Sequence, residues 1–286
     1  MKTVDELLTL LQLEQIEENI FRGISSSIGS PRVFGGQVLA QSLSAAIQTV
    51  PVDRFVHSLQ AYFLLPGDIS IPIIFTVDCI RDGGSFTTRS VKAIQRGKAI
   101  FHLSASFQLE QEGFDHQVEM PKVQPPEELP NWEGLAKEYN DQIPDNFRRF
   151  LELDRPLEFK LVERYNFFSQ ERRPPYRSVW MRARGPMPDD KKAHQLVLAY
   201  ASDYNLLTTA LLPHGQYANF GKLQLASLDH AMWFHRDFRF DEWLLYVLES
   251  PSASNARGFT RGNVFSRDGK LVASVAQEGL IRPGRG

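Results

Sequence analysis

Between Gln37 and Val50 the chain carries Val38, Leu39, Ala40, Leu43, Ala45, Ala46 and Ile47, with Gln, Ser and Thr among them and no charged residue. Gly35-Gly36 opens this segment and Pro51 closes it, the punctuation of a helix. A helix of such composition has no face to offer water, so it must lie buried among other elements. Strand-like runs follow at once: His57 to Leu65, Ile73 to Ile80, Phe86 to Gln95 and Ala99 to Leu109. The Gly-containing turns between them, Pro66-Gly67, Asp82-Gly83-Gly84 and Arg96-Gly97-Lys98, predict hairpins of an antiparallel sheet.

The same order returns in the second half. Strands are predicted at Leu157 to Leu161 and Ser178 to Ala183, then a long apolar helix from Ala193 to about Leu212, ended by Pro213. Further strands are predicted at Leu223 to His235, Trp243 to Glu249, Gly258 to Ser266 and Leu271 to Ile281. The halves also match in detail: Ala61-Tyr62-Phe63 corresponds to Met232-Trp233-Phe234. One residue out of phase with that match, Arg89, Gly97, Lys98 and Ile100 correspond to Arg261, Gly269, Lys270 and Val272. A duplication explains this repeated order. A buried helix followed by a strand meander, present twice, is the pattern of a sheet wrapped around a central helix. The expected fold class is therefore α+β, a double hotdog of two fused units. The expected boundaries are 1–119 for the first unit, 120–156 for a Pro-rich linker bearing a short helix or two, and 157–286 for the second. Before the first unit's helix, Thr3 and Glu6 have capping-box spacing and Val4, Leu7, Leu8 and Leu11 make one apolar stripe. A single short strand is expected near Ile16 to Phe21.

Composition narrows the function. The net charge of −2 is spread along the chain, and the densest basic cluster, Glu171 to Arg177, is short and Pro-broken, so nucleic acid is not expected as a partner. One cysteine, Cys79, forms no internal disulfide and fits a reducing compartment; within an apolar run it is expected to be a small buried hydrophobe. Met1 to Glu6 turns acidic before any apolar region, no stretch approaches a membrane span, and Arg285-Gly286 is not a peroxisomal address, so a cytoplasmic location is expected. The twenty Phe, eight Tyr and four Trp serve chiefly as core, with some available to line an apolar ligand tunnel.

Common catalytic devices are missing. There is no G-x-S-x-G elbow, H-E-x-x-H, paired-Cys motif, Walker loop or G-x-G-x-x-G. His230 and His235, the only two close in sequence among seven histidines, fall on opposite faces of a strand, and no metal site is expected. What stands out is polar residues inside apolar elements. On a continuous helix Asp203 shares a face with Leu196, Tyr200 and Leu207. A carboxylate buried there acquires a raised pKa, which suits a general base near neutrality. The plain alternative is a helix-end Asp facing solvent or capping a loop. Gln277 sits in the apolar run Leu271 to Gly279, where a buried strand Gln with backbone partners is the ordinary reading. Ser227 opens the run to His235. Its neighbours Asp229 and His230 suggest a Ser-Asp-His set, but adjacent strand residues point to opposite faces and cannot form one relay.

Several stretches together resemble the acyl-CoA thioesterase II (TesB-type) family. They are Val33 to Gln37, His57-Ser58 with Tyr62-Phe63, Gly84-Ser85-Phe86, Gln95 with Gly97-Lys98, and Tyr200 to Asp203. Asp229 to His235, Ser252 to Ser254 with Ala256-Arg257-Gly258, and Asp268-Gly269 through Gln277-Glu278-Gly279 complete the set. The resemblance spans nearly the whole chain and is weakest in the Pro-rich middle. It implies a double hotdog hydrolysing fatty acyl-CoA, with a catalytic set of Asp203, Ser227 and Gln277. The family pattern often has Thr where this chain has Ser227, which keeps the hydroxyl and positions it more loosely. The implied chemistry is a water activated by Asp203 and held by Ser227 and Gln277, with backbone N–H groups at a helix N-terminus for the oxyanion and no covalent intermediate. Acyl-CoA and CoA are the implied partners, without cofactor or metal, and pairing of copies into a dimer or tetramer follows from exposed sheet edges. Competing readings are a hotdog-type enoyl-CoA hydratase or dehydratase, whose D-x-N-P-x-H frame is missing here, and a non-catalytic acyl-CoA-binding protein.

Overall fold

The computed structural model describes residues 1–30, 32–138, 154–163, 170–215 and 222–284. The first helix, α1 (Val4–Leu11), begins where Thr3 Oγ1 accepts the Glu6 N–H at 3.2 Å, as the capping spacing predicts. In place of one short strand there are two, β1 (Glu14–Glu17) and β2 (Ile20–Gly23). Asn19 turns the chain between them at φ 58°, a left-handed conformation that Asn tolerates. The uncharged helix is α2 (Gly35–Ile47), buried without interruption from Gly36 to Ala46. It is followed by β3 (Phe55–Phe63), β4 (Ile73–Asp82), β5 (Phe86–Gln95) and β6 (Lys98–Gln108).

The second half runs β7 (Leu157–Leu161), β8 (Tyr176–Ala183), a helix at Lys191–Ser202, β9 (Leu223–Ser227), β10 (Asp229–Phe234), β11 (Leu244–Ser254), β12 (Arg257–Ser266) and β13 (Leu271–Pro283). The strands form one antiparallel sheet in the order β1-β2-β4-β5-β6-β3-β10-β13-β12-β11-β8-β7, with β9 also on β13. The order reads the same outward from the β3·β10 junction on either side, and each side wraps one central helix. This is the double hotdog. The repeat seen in sequence is visible here, because Ala61 and His230 pair across that junction and Gly97 and Gly269 take matching turns at φ 73° and 88°. The buried apolar side chains of both halves make one continuous core.

Between the halves the Pro-rich segment holds a 3-10 turn at Pro126–Glu128 and a short helix, α3 (Trp132–Glu138); residues 139–153 lie outside the described residues. This segment is more than a spacer. Leu129, Met120 and Val123 pack on the outer face of the second half, over Trp180, Trp243, Leu245 and Phe265, and the Trp180 indole donates to the Gln124 carbonyl at 2.9 Å.

Three further sequence expectations need correction. The second long helix, α4 (Lys191–Ser202), stops well short of Leu212. Asn205 enters the left-handed region at φ 65°, and a 3-10 segment, Leu207–His214, continues the chain. The run from Leu223 to His235 is two strands broken at Leu228. The pairing of β13 shifts by one residue there, from Gly279 opposite Ser227 to Ala276 opposite Ala231, which makes Leu228 a bulge. Cys79 is exposed, not buried. It keeps the parity of core-facing Ile73, Phe75 and Val77, but β4 has by then run past the end of the core.

Candidate active site

The two central helices lie antiparallel, with the N-terminus of α2 beside the C-terminus of α4. Phe34 takes the N-cap position of α2 and supplies no side-chain hydrogen bond there. The missing acceptor comes from the other half of the chain: Asp203, the C-cap of α4, takes the Gly36 N–H on Oδ2 at 3.0 Å. Helix α4 behaves differently, being capped by its own Asp190, which accepts from Lys192 N. A carboxylate at the N-terminus of α2 sits at the positive end of that helix's dipole.

Two more side chains reach the same group. Ser227 Oγ donates to Asp203 Oδ1 at 3.4 Å and Gln277 Nε2 donates to it at 3.3 Å. The three residues predicted from sequence are thus brought together from three separate elements. The Leu228 bulge makes this possible. In an unbroken strand Ser227 and His230 would face opposite sides of the sheet; with one extra residue between them both turn inward, Ser227 to Asp203 and His230 Nε2 to Ser202 Oγ at 2.9 Å. Asp229 instead accepts the Glu278 N–H at 2.7 Å, so Ser227, Asp229 and His230 form no relay.

Burial raises the Asp203 pKa, and the hydrogen bonds from Gln277, Gly36 and Ser227 hold back only part of that rise. Asp203 is therefore at the helix end, as its plain alternative had it, yet turned inward, where burial keeps its pKa raised. The titratable groups around it are the phenols of Tyr200, Tyr204 and Tyr246, all pushed upward by burial and neutral at working pH. Phe34 packs edge-on to Tyr200 with centroids 5.2 Å apart and lies 4.6 Å from Tyr204, giving the site an aromatic wall. The N-terminus of α2 holds this carboxylate through the Gly36 N–H.

His230, Ser202 and Gly36 were not anticipated as parts of the site. The glycine pair stood out in sequence only as a motif, and its meaning is spatial: a Cβ at Gly35 would stand 2.5 Å from Asp203 Oδ2. Burial lowers the His230 pKa to about 4 from an ordinary 6.5. Its neutral ring therefore contributes stability that is complete above about pH 6.5 and lost as pH falls toward 4. By pH 5 the loss is about 2 kcal/mol by proton linkage. Urea unfolding at pH 7.5 and 5.0 should show that much more acid sensitivity in the parent than in His230→Asn; equal sensitivity would refute the linkage.

A family profile described as acyl-CoA thioesterase matches residues 148–280, and one described as acyl-CoA thioesterase N-terminal domain matches residues 23–108. Acyl-CoA thioesterase 2 of Haemophilus influenzae is 41% identical over 98% of both chains. The chain belongs to the acyl-CoA thioesterase family. Human acyl-coenzyme A thioesterase 8 is 43% identical over 96% of this chain and 88% of its own length. The crystal structure of an acyl-CoA thioesterase II, TesB2, from Mycobacterium marinum superposes with a TM-score of 0.79 at 42% identity, covering 97% of this chain and 98% of that one. As a member of the acyl-CoA thioesterase family the protein is a thioester hydrolase. Among the described residues no helix is long and apolar enough to cross a membrane.

Proposed function

We propose that this enzyme hydrolyses fatty acyl-CoA to fatty acid and CoA by direct attack of water, with Asp203 as general base and Ser227 and Gln277 positioning that water. The observation that carries the reading is convergence: a hydroxyl and an amide, from β9 and β13, both donate to one oxygen of a carboxylate whose pKa is raised by burial. A water on Asp203 Oδ1 comes within reach of both donors, and a base of elevated pKa accepts its proton as it attacks the electrophilic thioester carbonyl. The second N–H of the Gln277 amide is available to the oxyanion. Ser227 is not read as a nucleophile. The histidine nearest in sequence, His230, is bonded to Ser202 and gives Ser227 no activating base. Phe34, Tyr200, Tyr204 and the fully buried Leu206 offer the acyl chain an apolar wall beside the base.

One such set is expected per chain. The C-cap of α2 is Gln48 where α4 has Asp203, and the offset that relates Gly97 to Gly269 relates Ala105 to Gln277. The two-unit division at 1–119, 120–156 and 157–286 is part of the same proposal. The sheet's repeated order supports it, while the second family match begins at residue 148, inside the assigned linker. A cytoplasmic location and association of copies complete it. The exposed Tyr62 and Trp233, on paired strands at the centre of the outer sheet face, give a second copy an apolar surface to cover.

Free-thiol release from saturated acyl-CoA substrates of increasing chain length tests the reading. Hydrolysis is expected across the series. Gln277→Ala should lower kcat by about 10²-fold, Ser227→Ala by about tenfold, and Ser227→Thr little, since the hydroxyl stays. An acyl adduct trapped on Ser227, or loss of the crotonyl-CoA enone without thiol release, would replace this mechanism with another.

A further inference from the structure

We infer that His230 is a positioning residue for hydrolysis, which donates its Nδ1–H to Gln277 Oε1 and so fixes the amide with Nε2 toward Asp203. This inference rests on the proposed roles of Asp203 and Gln277. His230 and Gln277 lie opposite one another on β10 and β13, one step along the ladder from the Ala231·Ala276 pair, and both are fully buried. Each carries one buried polar atom with no hydrogen-bond partner in the structure, Nδ1 on the histidine and Oε1 on the glutamine. A buried polar atom left unmatched is costly, and these two are complementary neighbours. Gln277 opposes the fall of the ring's pKa that burial causes, as an acceptor close to the ring does.

An amide can sit in its slot in two orientations, and only one suits an ionised base. With Nε2 of Gln277 toward Asp203, the 3.3 Å contact is donor to acceptor. Flipped, the same contact sets carbonyl oxygen against carboxylate. The choice passes back through the ring. Ser202 Oγ lies 2.9 Å from His230 Nε2; when its O–H donates there, the neutral ring carries its proton on Nδ1, facing Oε1. If Ser202 instead gives its hydrogen to the Ala199 carbonyl, 2.8 Å away, and accepts from Nε2–H, the bare Nδ1 favours the flipped amide. With the Ser202 hydrogen turned from the Ala199 carbonyl to Nε2, the line Ser202 to His230 to Gln277 to Asp203 runs donor to acceptor throughout and terminates on the carboxylate. The Tyr246 hydroxyl holds the Ser202 carbonyl at 3.1 Å, anchoring its origin.

Two substitutions separate positioning from packing. His230→Asn places an amide near Nδ1 and leaves Ser202 without its partner; His230→Gln places a polar atom near Nε2 and leaves Gln277 Oε1 without a donor. In thiol-release assays His230→Gln should lose about 30-fold in kcat with KM within about twofold. Its acid limb should move to higher pH, because the Gln277 hydrogen bond that favours ionised Asp203 is weakened. His230→Asn should stay within about fivefold of the parent with its limb in place. Equal damage from both variants, or none from His230→Gln, overturns the inference. So does additivity with Gln277→Ala, in whose background His230→Gln should change kcat no further. Should the variants fold poorly, nitrogen NMR of the histidine-labelled parent decides. The ring that stays neutral to about pH 4 should be protonated at Nδ1, and protonation at Nε2 refutes the assignment. Full activity in Gln277→Ala and Asp203→Asn would instead sink the underlying mechanism, leaving the two failures distinguishable.

Discussion

Asp203→Asn is expected to abolish most hydrolysis, lowering kcat by about 10³-fold while the protein folds and binds substrate as before. The change removes one function with almost no change of shape. The oxygen of the introduced amide can still accept the Gly36 N–H, so the cap on α2 survives. The new NH2 group faces Ser227 and Gln277, whose donors lose an acceptor, and its nitrogen lone pair, delocalised into the carbonyl, cannot take a proton from water. Binding should be spared, since in the proposed mechanism Asp203 meets the attacking water and not the acyl chain. Stability should hold or rise at pH 8. A carboxylate whose pKa burial has raised is most costly above that pKa, and a neutral amide is free of the cost. Unchanged kcat, with Tm confirming a folded variant, would remove Asp203 from the chemistry altogether. Loss of kcat together with a large fall in Tm would show a structural carboxylate instead. The acid limb of the parent's kcat profile gives an independent reading, because activity must rise as Asp203 ionises and must do so above the ordinary carboxylate range.

The fold was readable because its strongest signal is compositional. A helix without charge between Gln37 and Val50 has only a buried solution, and the meander after it supplies the wrap; repetition of both made the double unit hard to avoid. What sequence periodicity missed lies where one residue departs from regular structure. Asn205 ends α4 at Ser202, though the apolar pattern runs on to Leu212. Leu228 is an extra residue in a strand that reads as continuous, and apolar alternation carries no mark of it. These two irregularities build the site: one leaves Asp203 as a C-cap turned toward α2, the other turns Ser227 and His230 to the same side. Asp203 and Gln277 were visible as polar residues in apolar runs. Their convergence was not, because it depends on a stop and a bulge that local patterns do not encode, and resemblance to a family supplied it. Cys79 failed for the opposite reason, since its pattern was regular but the core had ended.

Substituting alanine at the two glycines that open α2 should separate fold from catalysis. At Gly36 an added Cβ would lie 2.2 Å from the Tyr200 carbonyl oxygen and 2.6 Å from the Phe34 ring. The first contact is backbone of α4 and cannot rotate away, so the helices must part. They carry fully buried side chains such as Leu39, Leu43, Val197 and Leu198, and separation there loosens the core on both sides. Gly36→Ala should therefore cost about 3 kcal/mol or more in unfolding free energy and break the Gly36–Asp203 hydrogen bond as well. At Gly35 the obstacle is of another kind. The Cβ would stand 2.5 Å from Asp203 Oδ2 and 3.0 Å from the Phe63 ring, both side-chain atoms that can yield. The core stays closed, but the carboxylate swings away from Ser227 and Gln277, and a base misplaced by about 1 Å loses about 10²-fold in rate. Gly35→Ala should thus keep a Tm near that of the parent with a crippled kcat, whereas Gly36→Ala should fail in both. Chemical denaturation and thiol release on the two variants test the pair. Parental kcat in Gly35→Ala would mean that the carboxylate's position beside α2 is incidental to the reaction, and parental stability in Gly36→Ala would mean that the two helices are not locked against each other at Gly36.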